Sequence, residues 1–351
     1  MTVPSFGMRP GSFPRALACL LLATLAACGS TPPSPAPVVP DATGTMTSAP
    51  PIRIGIALGG GAAKGFAHIG VIKMLEANGF APVVVAGTSA GSVVGALYAS
   101  GMNAFELQEK AVALDEARIR DLQLSSGGLV LGQKLEDYVN EQVRRKPLEQ
   151  LAKPFVAVAT RLEDGERTVF ARGNTGQAVR ASSSVPGVFQ PVTIGKYHYV
   201  DGGIVSPVPV DAARQLGADV VVAVDISNKA RGQTPSHLLG ALNQSIAIMG
   251  QKLGQAELAR ADITIRPQVL DMGPADFTQR ASAIVEGEKA ALAVMPQLRE
   301  RVAKLQAERA QAVRQAQQKA AEAEHKACLE NRSRLQKLAG TVGLDGSCER
   351  P

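Results

Sequence analysis

Ser89 sits in Gly87-Thr88-Ser89-Ala90-Gly91, with a glycine two places to either side, between the apolar run Pro82 to Ala86 and the helix-like run Ser92 to Ser100. On a sharp strand-to-helix turn such a serine stands clear of the backbone and can serve as a nucleophile. A hydroxyl attacks only when a neighbouring group takes its proton. The chain offers four histidines, His68, His198, His237 and His325. His198 alone lies near another chemical signal, in the stretch KYHYVDGG from Lys196 to Gly203. That signal is Asp201, at the end of a strand-like run and followed by Gly202 and Gly203. Taken alone it reads as a turn cap. His68 reads as a packing residue of the helix that follows a glycine loop, and His237 and His325 as solvated residues in polar, helix-like surroundings.

The glycine loop is GGGAAKG, from Gly59 to Gly65, between a strand-like and a helix-like segment. Backbone donors crowded at such a turn, with a helix dipole behind them, suit an anion. A nucleotide-binding Walker loop needs Ser or Thr after its lysine, whereas Gly65 follows Lys64. A dinucleotide fingerprint needs GxGxxG and an acidic end to the next strand; here the third glycine comes one place late and that strand ends at Gly87. What remains is an oxyanion formed in acyl transfer. Both the loop and Ser89 fall at carboxyl ends of strands, the edge where open α/β sheets assemble their sites.

In that order, glycine loop, GxSxG and Asp-Gly-Gly resemble the patatin-like phospholipases, and ASSSVPGVFQPV, Ala181 to Val192, looks like that family's third block. The resemblance runs from about Ile52 to Pro267 and is closest to compact bacterial members with the loop LGGGAAKGFAHIGV. It implies a Ser-Asp dyad without histidine, formed by Ser89 and Asp201. It further implies an oxyanion hole from the amides of Gly59, Gly60, Gly61 and Ala62, with Lys64 at the family's Arg/Lys position. The loop carries one more alanine than the plant form, which leaves open which amides point inward. The implied activity is lipid ester hydrolysis of the phospholipase A or lysophospholipase kind, with no metal and no cofactor. Two rivals stand beside it: a Ser-His-Asp carboxylesterase using His198 or, with Asp225, His237, and a non-catalytic scaffold acting through a helical tail.

These residues need a frame. Ile52 to Leu58, Ala81 to Gly87, Pro154 to Thr160, Arg167 to Ala171, Ala218 to Ser227 and Ala261 to Pro267 have strand character, and Gly65 to Asn78 has helical spacing. Strands alternating with helices predict an α/β fold, a three-layer α/β/α patatin-like arrangement around a mostly parallel sheet. Residues 103–146 read as helix broken by glycines at 125–132 and are the candidate for acyl-chain contacts or a lid. The expected domain spans residues 52–295. Beyond about Ser282 the composition shifts to Ala, Gln, Glu, Lys and Arg, Gln297 to Gly340 reads as one long helix, and 296–351 form the expected helical tail, whose thin apolar stripe allows weak self-association.

At the other end, Arg9, Arg15 and the apolar run Ala16 to Ala27 form a secretory signal over residues 1–27, too short to remain as a span. LAAC, Leu25 to Cys28, resembles the bacterial lipobox and marks Cys28 for lipidation; an ordinary signal cleavage site is the alternative. Gly29 after the cysteine favours the outer membrane, facing the periplasm. The Pro/Ser-rich stretch 28–51 then acts as an extended tether at about 3 Å per residue. Cys328 and Cys348 are the remaining pair, and an oxidising compartment permits a disulfide between them or leaves two thiols. Neither has the neighbours of a metal site. The formal charge is +6, and the tail alone holds eleven Lys/Arg against seven Asp/Glu. The catalytic region is thus near neutral and carries no basic, aromatic-interleaved patch for nucleic acid.

Overall fold

The computed structural model describes residues 49–119, 121–125, 128–227, 238–339 and 348; the signal segment, Cys28, the tether up to residue 48 and His237 lie outside them. From the amino end, β1 (Ile54–Leu58) passes through the glycine loop into α1 (Phe66–Ala77), and β2 (Val84–Thr88) turns at Ser89 into α2 (Ala90–Ala99). Next come α3 (Ala104–Ala113), a hairpin of β3 (Leu122–Ser125) and β4 (Gly128–Val130), and α4 (Gln133–Gln142). The middle of the chain supplies β5 (Phe155–Arg161), β6 (Arg167–Phe170), α5 (Thr175–Ser182), β7 (Val192–Ile194) and β8 (Tyr197–Asp201). It closes with α6 (Val210–Gln215), β9 (Val220–Val224), α7 (Leu238–Leu258), β10 (Ile263–Ile265) and α8 (Arg280–Ala339).

The main sheet runs β10-β9-β1-β2-β5-β8-β7, with β6 also paired to β5. From β10 to β5 every pairing is parallel, whereas β6, β7 and β8 pair antiparallel. The sheet is therefore mixed, with a parallel core and an antiparallel flank. The mostly parallel sheet expected from the sequence is present, and connection length explains its antiparallel flank. The turns after β5 and β7 span a few residues, enough for a hairpin and far too few for a crossover. β3 and β4 likewise pair antiparallel where the sequence suggests only a break.

Alternation along the strands separates two cores. Ile56 and Leu58 face one side with Leu75 of α1, Leu97 of α2 and Leu298 of α8. Ala57, Ala86, Val158 and Val221 face the other, under α6 and the end of α7. Helices on both faces give the three layers.

α8 runs unbroken for 60 residues with Pro296 inside it, so the expected domain boundary at 295/296 falls within one helix. Its first part belongs to the core: Ala283, Ile284, Ala291, Met295 and Leu298 are buried at helical spacing. It crosses α1 in backbone contact, for a Cβ on Gly70 would lie 1.9 Å from Ile284 O and one on Gly287 2.0 Å from Ala67 O. Arg301 then pairs with Asp262 at 2.9 Å and Arg309 with Asp219. Further along, α8 is largely exposed, and Cys328 is disulfide-bonded to Cys348. No helix among the described residues is long and apolar enough to cross a membrane.

Candidate active site

Register brings the chemical residues to one place. On β5, Val158 pairs with Thr88 of β2 and the next residue, Ala159, with Asp201 of β8. Ser89 thus leaves β2 where β8 delivers Asp201, and both line one cleft of about 710 Å³.

Ser89 adopts φ 53° and ψ −125°, a left-handed conformation unusual for a side-chain-bearing residue. Such a turn stores on the order of 1–3 kcal/mol and persists only where its surroundings enforce it. Three contacts do so. Its carbonyl accepts from Ser92 N at 2.8 Å as α2 begins. Its N–H donates to Ser182 Oγ at 3.0 Å, whose hydroxyl donates to Val158 O at 2.5 Å. Gly91 lets α2 press against β1, because a Cβ there would stand 2.1 Å from Leu58 O.

Asp201 is 6% exposed. Its N–H donates to Ser184 O at 2.9 Å, its carbonyl accepts from Thr160 Oγ1 at 2.8 Å, and Oδ1 accepts from Gly203 N at 2.7 Å. Burial pushes the carboxyl up to about 6, against the pull of the Ser89 hydroxyl and the Gly203 N–H. The Ser89 contact falls short of a closed hydrogen bond, and Oδ2 has no partner among the described residues. One carboxylate oxygen is therefore held by the backbone while the other is free for a proton.

The glycine loop is divided in its use. Gly59 N donates to Val224 O, continuing the β1–β9 ladder, and Gly60 N to Pro207 O of the segment before α6, each at 3.0 Å. Ala63 N donates to Pro274 O at 3.1 Å and Lys64 N to Gly61 O at 3.3 Å. The Gly61 and Ala62 N–H groups are left without an acceptor among the described residues, and both residues line the cleft. Of the four amides expected to face an oxyanion, those of Gly59 and Gly60 are therefore already engaged, and those of Gly61 and Ala62 remain. Ala62, with φ 54°, holds the turn. Lys64 is 1% exposed and lies outside the cleft lining.

His68 is fully buried, and its Nε2–H donates to Gly59 O at 2.8 Å. Burial lowers it to about 4, so it is a neutral strut beneath the loop. His198 is exposed, with Nδ1 2.8 Å from Glu163 Oε1. Three residues before Asp201 on the same strand, it faces the opposite side of the sheet. His325 lies on the exposed part of α8.

Two groups escape the sequence reading. The serines of the ASSSV block brace both chemical residues, Ser182 through Ser89 N and Ser184 through Asp201 N. Glu257, buried at the end of α7, accepts from the Ser206 hydroxyl and from Val208 N at 2.8 Å. Between these contacts, Ser206 O accepts from Thr88 Oγ1 at 2.8 Å and Pro207 O from Gly60 N. Glu257 thereby ties down a strap that touches both the elbow and the loop. Burial raises it to about 7. Nothing in the composition around Glu257 signals this role. Among the described residues there is no cluster of three or more metal-binding side chains.

The patatin-like phospholipase family model matches residues 56–214. An uncharacterized NTE family protein of Mycobacterium tuberculosis is 37% identical over 182 residues, 51% of this chain and 51% of that protein. The chain thus spans about half the length of that relative. Lysophospholipase NTE1 of Pyricularia oryzae is 27% identical over 279 residues, 70% of this chain and 19% of that protein. Among solved structures, VipD from Legionella pneumophila aligns at 16% identity with a TM-score of 0.48, covering 70% of this chain and 67% of that one. The matched segment runs from within β1 into α6 and contains the loop, Ser89 and Asp201, so residues 56–214 form a patatin-like phospholipase domain.

Proposed function

We propose that the protein is a lipid-anchored serine acyl hydrolase of the bacterial cell envelope that cuts carboxylic esters of lipids. The observation that carries this reading is the pairing of a left-handed Ser89 with a buried Asp201 raised to about 6, inside an apolar cleft. Ser89 Oγ attacks the ester carbonyl carbon as its proton passes to Asp201 Oδ2. The carbonyl oxygen becomes an oxyanion held by the Gly61 and Ala62 N–H groups. Collapse of the tetrahedral species breaks the bond to the alcohol, which departs with the proton from Asp201. Water then attacks the acyl-serine, again losing a proton to Asp201, and the fatty acid leaves as Ser89 recovers its hydrogen. Proton transfer of this kind contributes on the order of 10²–10⁴ in rate, and one oxyanion donor about 10²–10³. The cycle needs no metal and no cofactor.

The substrate class follows from the lining. Val93, Val94, Leu135, Phe189 and Phe277 offer an alkyl chain a dry wall. Release of a single acyl chain, as by a phospholipase A or lysophospholipase, matches the names of the relatives. A lipidated Cys28 and the tether after it would hold this cleft within some tens of Å of its membrane, on the periplasmic side of the outer membrane.

The test is fatty acid release by the full chain in detergent micelles, from phospholipid, lysophospholipid and neutral lipid in parallel, with a fluorophosphonate used to trap the nucleophile. The reading expects release from at least one class, abolished by Ser89→Ala, and an adduct mapped to Ser89. No release from any class by folded protein, with no adduct at Ser89, overturns it.

A further inference from the structure

The lining of the cleft that holds Ser89 includes Val93 and Val94 of α2 together with Leu114, Ile119, Val130 and Leu135. All are apolar. Tyr138 comes one helical turn beyond Leu135 on α4 and is 7% exposed. It also lines a second pocket of about 300 Å³, whose other walls include Arg118, Lys134, Asp137 and Glu141. The Arg118 guanidinium stands 5.9 Å from the Tyr138 ring centroid and pairs with Glu141 at 2.9 Å. Tyr138 is thus shared by the apolar cleft and a charged surface pocket. A tyrosine suits the place because its ring is apolar and its hydroxyl tolerates a polar neighbour.

From this geometry we infer that Tyr138 is the end wall of the acyl-binding arm and sets the longest acyl chain the site accepts. The inference rests on the ester-hydrolase reading above and adds a specificity-determining residue to it. Each methylene buried in the arm strengthens binding, roughly fourfold in kcat/KM. A methylene pushed past the ring would instead displace hydrated charges and gain nothing. The wall is also fixed in place. α4 is capped where Asp121 accepts from Gly132 N at 2.7 Å and from Lys134 N at 3.1 Å. It is clamped to α5 through Arg180–Glu136 at 3.1 Å and through Gly176 N to Asn140 Oδ1 at 2.9 Å.

The experiment measures kcat/KM of the full chain on p-nitrophenyl esters from butyrate to palmitate, for wild type, Tyr138→Ala, Tyr138→Trp and Tyr138→Phe. Ratios between chain lengths within one variant cancel any difference in the folded fraction, and the Trp variant serves if the Ala variant does not fold. In wild type, kcat/KM should climb with chain length to a limit and then fall. Tyr138→Ala should move that limit to longer chains and raise the palmitate-to-octanoate ratio by on the order of tenfold. Tyr138→Trp should move it to shorter chains, and Tyr138→Phe should leave it in place. An unchanged limit in active Ala and Trp variants overturns the inference alone. A wild type inactive on every ester, releasing no fatty acid from lipid and giving no fluorophosphonate adduct at Ser89, overturns the hydrolase reading and the inference with it.

Discussion

At Asp201 the burial that makes the carboxylate basic also weakens the fold. Its folded-state value of about 6 lies above the ordinary 3.8, so the native state holds the proton more tightly than the unfolded chain does. The associated stability is fully present below the ordinary value and is lost as pH rises through about 6. The proposed mechanism needs the opposite form, the unprotonated base. The acid limb of kcat/KM should therefore rise through an apparent value near 6, readable in a pH–rate profile. Asp201→Asn should flatten that limb by removing activity, a loss of 10³ or more in order of magnitude. The same change should raise thermal stability at pH 8 by roughly 1–3 kcal/mol, measured by denaturant unfolding. Ser89 and Asp201 were readable in the sequence because each carries its own turn glycines. Ser182, Ser184 and Glu257 were not, since their role depends on strand register and on contacts between elements far apart in the chain.

Among the elements, the glycine loop and the strap at 206–208 are the parts whose shape decides turnover. A Cβ on Gly61 would stand 2.6 Å from Ile226 O, which obliges the loop to shift. Gly61→Ala is thus expected to lower kcat on the order of 10²–10³, the effect of one lost oxyanion donor, with a smaller change in KM. Glu257→Ala should act more gently through the strap, lowering kcat about tenfold with KM little altered, because the elbow and the loop lose a shared anchor without losing a donor. Steady-state kinetics with a soluble ester separates these effects. The parallel strands and the helices between them could be read from apolar runs and their period. The antiparallel flank carries weaker signals, since β7 and β8 are short and mix polar with apolar residues. It is that flank which delivers Asp201 to Ser89.

For the molecule as a whole, α8 serves two purposes along one helix. Its start fills the core beside α1, and four of its side chains there, Ile284, Ala291, Met295 and Leu298, are nearly inaccessible to solvent. Deleting the chain from residue 280 onward should therefore prevent folding, as each large apolar side chain contributes about 1.5–3 kcal/mol when buried. Deleting it from about residue 313 onward should leave the melting temperature and kcat/KM nearly unchanged, because the lost part is largely exposed. The compositional shift at about Ser282 falls close to the observed start of α8 at Arg280, whereas helical propensity alone picks out 297–340, since the turns before Pro296 carry apolar side chains that pack into the domain.

The central claim is that a carboxylate, with no histidine, takes the proton from Ser89. Fatty acid release from mixed phospholipid and short-chain esters by wild type, Asp201→Asn and His198→Ala, measured side by side, tests it most directly. The account predicts activity that survives the histidine change and disappears with the aspartate change. Loss of activity in His198→Ala, with Asp201→Asn still active, would contradict it.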